Sequence, residues 1–453
     1  MRINKILSID NLNKDVVIEG WVMTCRKQKS LSFIKCNDGS TCEGIQIILE
    51  DIDTTNVQTG CSIRVFGKLI ESPAKGQNFE VTATNLEIIG ESNPDDYPLA
   101  KTRINLETLR NHYHLRMRTK GFGSIFRIRS ALLFATHKFF EEENYLHLDP
   151  NIITVNECEG GAGVFQLTEN DITDVEKLEK KDKLYDWSKD HFKEPVYLTV
   201  SSQLQLEALS CALGPVYTTN KSFRSEHSST NKHVSEFTHL EIENVFIDME
   251  YLMDLSVNYI KFLALYLLDN CLEDLENLNR FMSKGIVDRI FGVKDTNFKK
   301  LTYHDAVELL QKSDLKEKPN IGDDLSSDAE NWLTSHFNSP VFVTNWPLEI
   351  KSFYMKQNDD GTCQSFDLLM PNKIGELIGG SMREDSYDKL MDMIRKKNID
   401  ESKMKFYTDL RKFGTVPHGG FGLGFDRLCM YFTGIENIRD VIPFPVQYLK
   451  CSC

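Results

Sequence analysis

FRSEHSSTNKHVSEFTHLEIENVF, residues 223–246, reads as two strands joined by a small polar loop. Strand side chains point to opposite faces in turn. That places Phe237, His239, Glu241 and Glu243 on one face, with Leu240 and Ile242 behind them. By the same rule Arg224 and Glu226 share a face of the preceding strand. Such a front is suited to line a cleft: Phe237 offers a ring on which a planar base stacks. Arg224 offers a fork of donors to a phosphate, and the serines leave the loop free to close over a ligand. An ordinary half-exposed hairpin with surface ion pairs would show the same pattern.

Two later stretches share this chemistry. SFDLLMPNKIGELIGGSMRED, residues 365–385, sets Asp367 and Glu376 in successive apolar strands, where an ionised acid needs a partner. Either Mg²⁺ bridging phosphate oxygens or a pair of structural salt bridges would supply it. HGGFGLGFDRL, residues 418–428, reads as a glycine-rich turn opening a helix with Arg427 at its start. There backbone and cation can approach another phosphate.

The 453 residues exceed one ordinary core, so two or three domains are expected. Apolar content of 41% with 26% charged residues is that of a folded globular chain. The most hydrophobic helix candidate has its longest uncharged run at Phe262–Leu268, far short of the roughly 20 residues of a bilayer span, so no membrane is expected. No secretory leader is visible, and eleven cysteines without a CxxC pair suit reduced thiols better than zinc, so the cytoplasm is the expected location. The net charge of −14 argues against bulk affinity for nucleic acid. Yet Lys101 to Arg129 is rich in Lys and Arg with Glu107 as its single acid, either a solvated basic helix or a phosphate-contacting strip.

Residues 1–95 contain five strand-like runs with turn signals, which suits a Greek-key barrel of the oligonucleotide-binding (OB) type. Residues 96–123 read as a hinge. From 124 to 453 helices near 124–144, 203–213, 251–275, 302–312 and 384–397 mix with irregularly connected strands. The fold expected is α+β, with a mostly antiparallel sheet flanked by helices.

Together and in this order, these elements resemble the motifs of class II aminoacyl-tRNA synthetases, with the helix and YLHLDP (145–150) resembling the dimer-forming motif. The N-terminal barrel is similar to that of the aspartyl, asparaginyl and lysyl subclass. TNWPLEIKSFYM (344–355), GELIGGSMRE (375–384) and NIRDVIPFP (437–445) resemble its asparaginyl branch, and DWSKDHF (186–192) the bacterial and organellar form. The resemblance implies a ligase that joins L-asparagine to tRNA(Asn) with ATP and Mg²⁺, as a homodimer through residues 124–150. Arg224 would hold the α-phosphate, Glu226 the adenine amino group and Phe237 the ring. His233 and Arg427 would reach the terminal phosphates, and Asp367 and Glu376 would carry Mg²⁺. Glu159, in ECEGGAGVF (157–165), would bind the substrate ammonium, with Gln203 beside it. Arg383 would donate to the side-chain carbonyl and Glu241 accept from its amide. In the barrel Phe33 would stack on the central anticodon base, flanked by Arg26 and Gln46, unless Phe33 belongs to the barrel core.

Aspartyl enzymes carry a lysine where Leu206 stands, so only Arg383 remains for the carbonyl, which favours the amide. Lys232 and Val446 stand where arginine is usual, Thr238-His239 stands where a Trp-Met pair is usual, and QYLKCSC replaces the usual tail. An aspartyl or non-discriminating enzyme, an ammonia-dependent asparagine synthetase and a catalytically silent RNA-binding paralogue are the alternatives.

Overall fold

The computed structural model describes every residue except 29, 75, 101–103, 157–162, 175, 183 and 452–453. The backbone divides into two compact units, Met1–Arg127 with Glu273–Met282, and Ile128–Leu272 with Ser283–Cys453.

The first unit contains a closed barrel of β1 (Asp15–Gln28), β2 (Leu31–Asn37), β3 (Ile45–Glu50), β4 (Ser62–Glu71) and β5 (Phe79–Gly90). Closure comes from β1, which pairs with both β2 and β4. Along β2 alternate residues turn inward, so Ile34 and Cys36 join Ile45, Ile47 and Leu49 in the core. Phe33 is only half-buried and points outward, so the core reading of this ring does not hold.

The second unit is built on an eight-stranded sheet. Its strands are β6 (Leu146–His147), β7 (Val216–Phe223), β8 (Glu236–Val245), β9 (Lys299–Thr302), β10 (Val341–Thr344), β11 (Ser365–Met370), β12 (Gly375–Met382) and β13 (His418–Gly424). They lie in the order β9-β10-β11-β12-β13-β8-β7-β6, antiparallel except for the outermost pair at each edge. One face carries Leu240, Ile242, Phe366, Leu368, Ile378, Phe421 and Leu423, each at most 1% exposed. Helix α1 (Met249–Asn270) covers this face: a Cβ on Gly419 would stand 3.0 Å from Leu252. By length and composition α1 could cross a bilayer, but its Leu252, Tyr259, Ile260, Leu263 and Leu267 are buried.

Four local expectations change. The strand carrying Arg224 ends at Phe223, so Arg224 and Glu226 lie in the connection beyond it rather than on a strand face. The helix expected over 251–275 is broken at Cys271 into two. The loop of small polar residues is braced, with Arg439 donating to Ser229 and Thr230 carbonyls and Tyr448 stacked on His227 at 4.8 Å. The glycine-rich stretch is no turn: His418–Gly424 is a central strand between β12 and β8.

Those glycines are required by their neighbours. A Cβ on Gly420 would fall 2.0 Å from the Ile242 carbonyl oxygen, and one on Gly422 would fall 2.6 Å from His239 Nε2. Removing side chains along β13 gives the front of the sheet a bare floor.

Candidate active site

The front face of the second unit gathers the residues that the sequence marked. Paired residues Glu241, Gly422 and Gly379 lie side by side across three strands, and Asp367 is the next partner in the row. Phe237 and His239 continue the same face along β8, their rings 5.5 Å apart. The Arg224 guanidinium sits 5.5 Å from the Phe237 ring centre, while its backbone N–H donates to the Ser235 carbonyl. Ser225 N–H donates to the Gly163 carbonyl at 2.8 Å, tying this connection to the stretch after residue 162.

Next to this platform is a carboxylate pair. A Cβ on Gly379 would meet Glu376 Oε1 at 2.9 Å and Asp367 Oδ1 at 3.6 Å, so both acids look over one glycine. A register shift between Leu368 and Leu369 makes this so, because it sets Glu376 opposite Leu369 and turns it to the front. Asp367 is buried and accepts from Lys351 Nζ at 2.7 Å. Burial pushes its carboxyl up and Glu376 adds to the push, with Lys351 opposing. Lys351, which burial alone would discharge, is held charged by Asp367. Glu376 is exposed, so the partner expected for it inside the fold is not required. Among the described residues no group of three or more His, Cys, Asp or Glu could hold a metal. Two carboxylates with room for substrate oxygens match Mg²⁺, which keeps few protein ligands.

Arg427 lies in the first turn of the next element, the helix Phe425–Thr433, and its Nη1 donates to the Glu376 carbonyl at 2.8 Å. His233 accepts or donates at Thr230 through Nδ1. Burial lowers its basicity, and Arg427, Lys232 and Arg224 lower it further while Glu226 opposes them. One imidazole thus lies in the field of four groups that the sequence assigned to ATP or its loop. Glu330, in the helix Ser327–Phe337, escaped the sequence reading. Burial pushes its carboxyl up to about 7, with Glu376 adding to the push and Lys232 and Arg427 opposing it. Ionising it in the folded protein therefore costs stability as pH rises from its ordinary 4.5 through about 7. Glu330→Gln, neutral at every pH, should gain about 1–2 kcal/mol over the parent near pH 8 and nothing below pH 4.5, read by denaturant unfolding.

At the far end of β8 the cleft closes in a buried ionic cluster. Glu241 accepts from the Ser201 hydroxyl and from Ser202 N–H at 2.9 Å, just before the helix Gln203–Leu213. Arg383 grips Glu243, donating from Nε at 3.2 Å and from Nη2. Burial pushes Glu243 up, Arg383 opposes, and Glu207 adds to the push. Gln203 Nε2 donates to Glu207 at 3.0 Å. Sequence reasoning missed Glu207, Tyr407, Arg411 and His418 here. The one signal was an acid at position 207 flanked by Leu206 and Ala208 on a helix. Leu206, beside it on the same helix, is 0% exposed.

Glu159 lies outside the described residues, as do Lys101 of the basic strip and Cys453 of the tail. In the first unit, Arg26 pairs directly with Phe33, and Gln46 pairs with Lys35, all turned away from the core. Gln46 Nε2 donates to Glu80 at 3.3 Å.

The family model described as tRNA synthetases class II (D, K and N) matches residues 105–448. The one described as OB-fold nucleic acid binding domain matches residues 16–89. An asparagine–tRNA ligase of Cytophaga hutchinsonii is 42% identical, covering 98% of each chain. One of Parabacteroides distasonis is 43% identical over 98% of this chain and 97% of its own. Among solved structures, asparaginyl-tRNA synthetase of Pyrococcus horikoshii complexed with asparaginyl-adenylate superposes with TM-score 0.85 at 28% identity, covering 99% of this chain and 98% of that one. The Entamoeba histolytica enzyme with the same ligand gives 0.84 at 26% identity, covering 100% and 99%.

Proposed function

The chain belongs to the class II tRNA synthetases of the D, K and N group, and from that premise we propose the reaction its front face performs. It joins L-asparagine to tRNA(Asn) through an asparaginyl-adenylate, with ATP consumed to AMP and pyrophosphate. The observation that carries this reading is the gathering of Arg224, Phe237, Asp367, Glu376 and Arg427 around one glycine floor.

Adenine stacks on Phe237, with Glu226 at its amino group, and Arg224 holds the α-phosphate. The asparagine carboxylate attacks the α-phosphorus in line, and no protein nucleophile is needed. Arg427 and His233 hold the departing pyrophosphate. Catalysis is orientation and charge stabilisation, with donors fixed before the reaction begins. Mg²⁺, held by Asp367 and Glu376, would supply neutralisation of phosphate charge. Glu159 and Gln203 bind the amino-acid ammonium; Arg383 and Glu241 meet the side-chain amide. The tRNA terminal hydroxyl then attacks the adenylate. Pyrophosphate exchange run in parallel with asparagine and aspartate tests the assignment; exchange driven equally by aspartate would overturn the specificity.

Residues 1–95 serve as the anticodon-binding domain, 96–123 as a hinge and 124–453 as the catalytic domain. Arg26, Phe33 and Gln46 meet the anticodon. Base stacking on an aromatic ring is worth about 1–3 kcal/mol, so Phe33→Ala should raise KM for tRNA by about tenfold or more. It should leave tRNA-independent exchange unchanged, since Phe33 lies outside the barrel core. A homodimer through residues 124–150 is supported by apolar side chains left outside, with Phe134 62% and Leu146 49% exposed. Sedimentation equilibrium reads this directly.

A further inference from the structure

Glu207 is a carboxylate that no substrate can touch. It is 0% exposed, yet five polar groups converge on it. Its Oε1 accepts from Gln203 Nε2 at 3.0 Å and the Tyr407 hydroxyl at 2.9 Å. Its Oε2 accepts from Arg411 Nη2 at 2.9 Å and lies 3.2 Å from His418 Nε2. Arg383 Nε is 3.7 Å away. Burial alone would raise this carboxyl, but Arg411, the His418 hydrogen bond and Arg383 outweigh it and hold it below the ordinary carboxylate range.

Keeping a charge so deep is costly, and an apolar core of the same volume would hold the fold as well. What distinguishes Glu207 is its reach to two guanidiniums. Arg411 is also wholly enclosed, and Arg383 is the donor assigned above to the substrate side chain. An arginine whose charge is answered from behind still donates N–H groups to a neutral carbonyl. It offers no surplus cation to a second carboxylate, which would also face Glu241 and Glu243.

We propose that Glu207 is a specificity-determining positioning residue: by answering Arg383 and Arg411 from behind the pocket, it lets the site take the neutral side-chain amide of asparagine and reject the isosteric carboxylate of aspartate. This rests on the role given to Arg383 under the proposed reaction. Glu207→Gln removes one negative charge with little change of shape. The asparagine-to-aspartate ratio of kcat/KM in pyrophosphate exchange is then expected to fall by about tenfold or more. An unchanged ratio, with both substrates losing rate together, overturns the proposal, because a merely structural residue would behave that way.

Should the variant not fold, the unaltered chain decides. L-Aspartate and 4-oxo-L-norvaline, a neutral methyl ketone of the same shape, are compared as competitors of asparagine. The ketone is expected to compete about tenfold better or more. Equal competition would assign rejection to the missing amide N–H groups and overturn the role of charge. Absence of asparagine-driven exchange in the unaltered chain would remove the reaction itself, and this inference with it.

Discussion

Replacing Arg224 by alanine is expected to lower asparagine-dependent pyrophosphate exchange by about 10³-fold, with the fold intact. The size follows from the chemistry. Negative charge builds on the α-phosphate as the carboxylate attacks, and donors aimed at developing charge are worth about 10²–10³ each in rate when the site excludes water. A guanidinium presents a planar fork, so its loss removes two such bonds at once. The local tie to Ser235 is made by the Arg224 backbone N–H, so the substitution leaves that tie in place. Phe237 keeps its place in β8, paired with Ser222, so adenine stacking survives and KM for ATP should move less than kcat. Arg224→Lys, keeping charge but not the fork, should fall between the two. Near-normal exchange by the alanine variant, with an unchanged unfolding midpoint, would sink the central role.

Much of this site was legible in residues 223–246 because strand alternation has a fixed period of two. Phe237 to Glu243 fell on one face as the pattern required. The glycine strand was not legible. Glycine carries no side chain to show an alternation and is depleted from strands in general. Only the carbonyl of Ile242 and the ring of His239, brought in from β8, reveal why nothing larger fits. The buried cluster escaped for a different reason: Arg411 and Glu207 meet across 204 residues of chain, and a single sequence carries no record of such pairings. An acid beside Leu206 announced that a partner was needed, without saying which. Glu376 was read as a candidate ligand from a premise that the fold does not meet. A buried acid needs a partner, but Glu376 is exposed, and it stands beside Asp367 only because a bulge turns it to the front.

That bulge leads to the second large effect. Glu376→Gln is expected to lower exchange by about a hundredfold at limiting Mg²⁺ and to recover most of the loss as Mg²⁺ is raised. Glu376 is exposed, and its backbone carbonyl, which accepts from Arg427 at 2.8 Å, is unaltered by the substitution. Arg427 therefore stays in position, and the variant isolates the carboxylate charge. A hard cation with one or two carboxylate ligands loses affinity steeply when one becomes an amide, but mass action restores occupancy. Asp367→Asn would be a poorer probe, because it also strips the buried Lys351 of its partner at 2.7 Å. That leaves an unanswered charge inside the fold, a defect that costs stability at every Mg²⁺ concentration. The two variants should separate cleanly: Glu376→Gln shifts the Mg²⁺ dependence with the melting temperature held, whereas Asp367→Asn lowers the melting temperature as well. A Glu376→Gln chain whose half-saturating Mg²⁺ equals that of the parent would show that this carboxylate holds no metal.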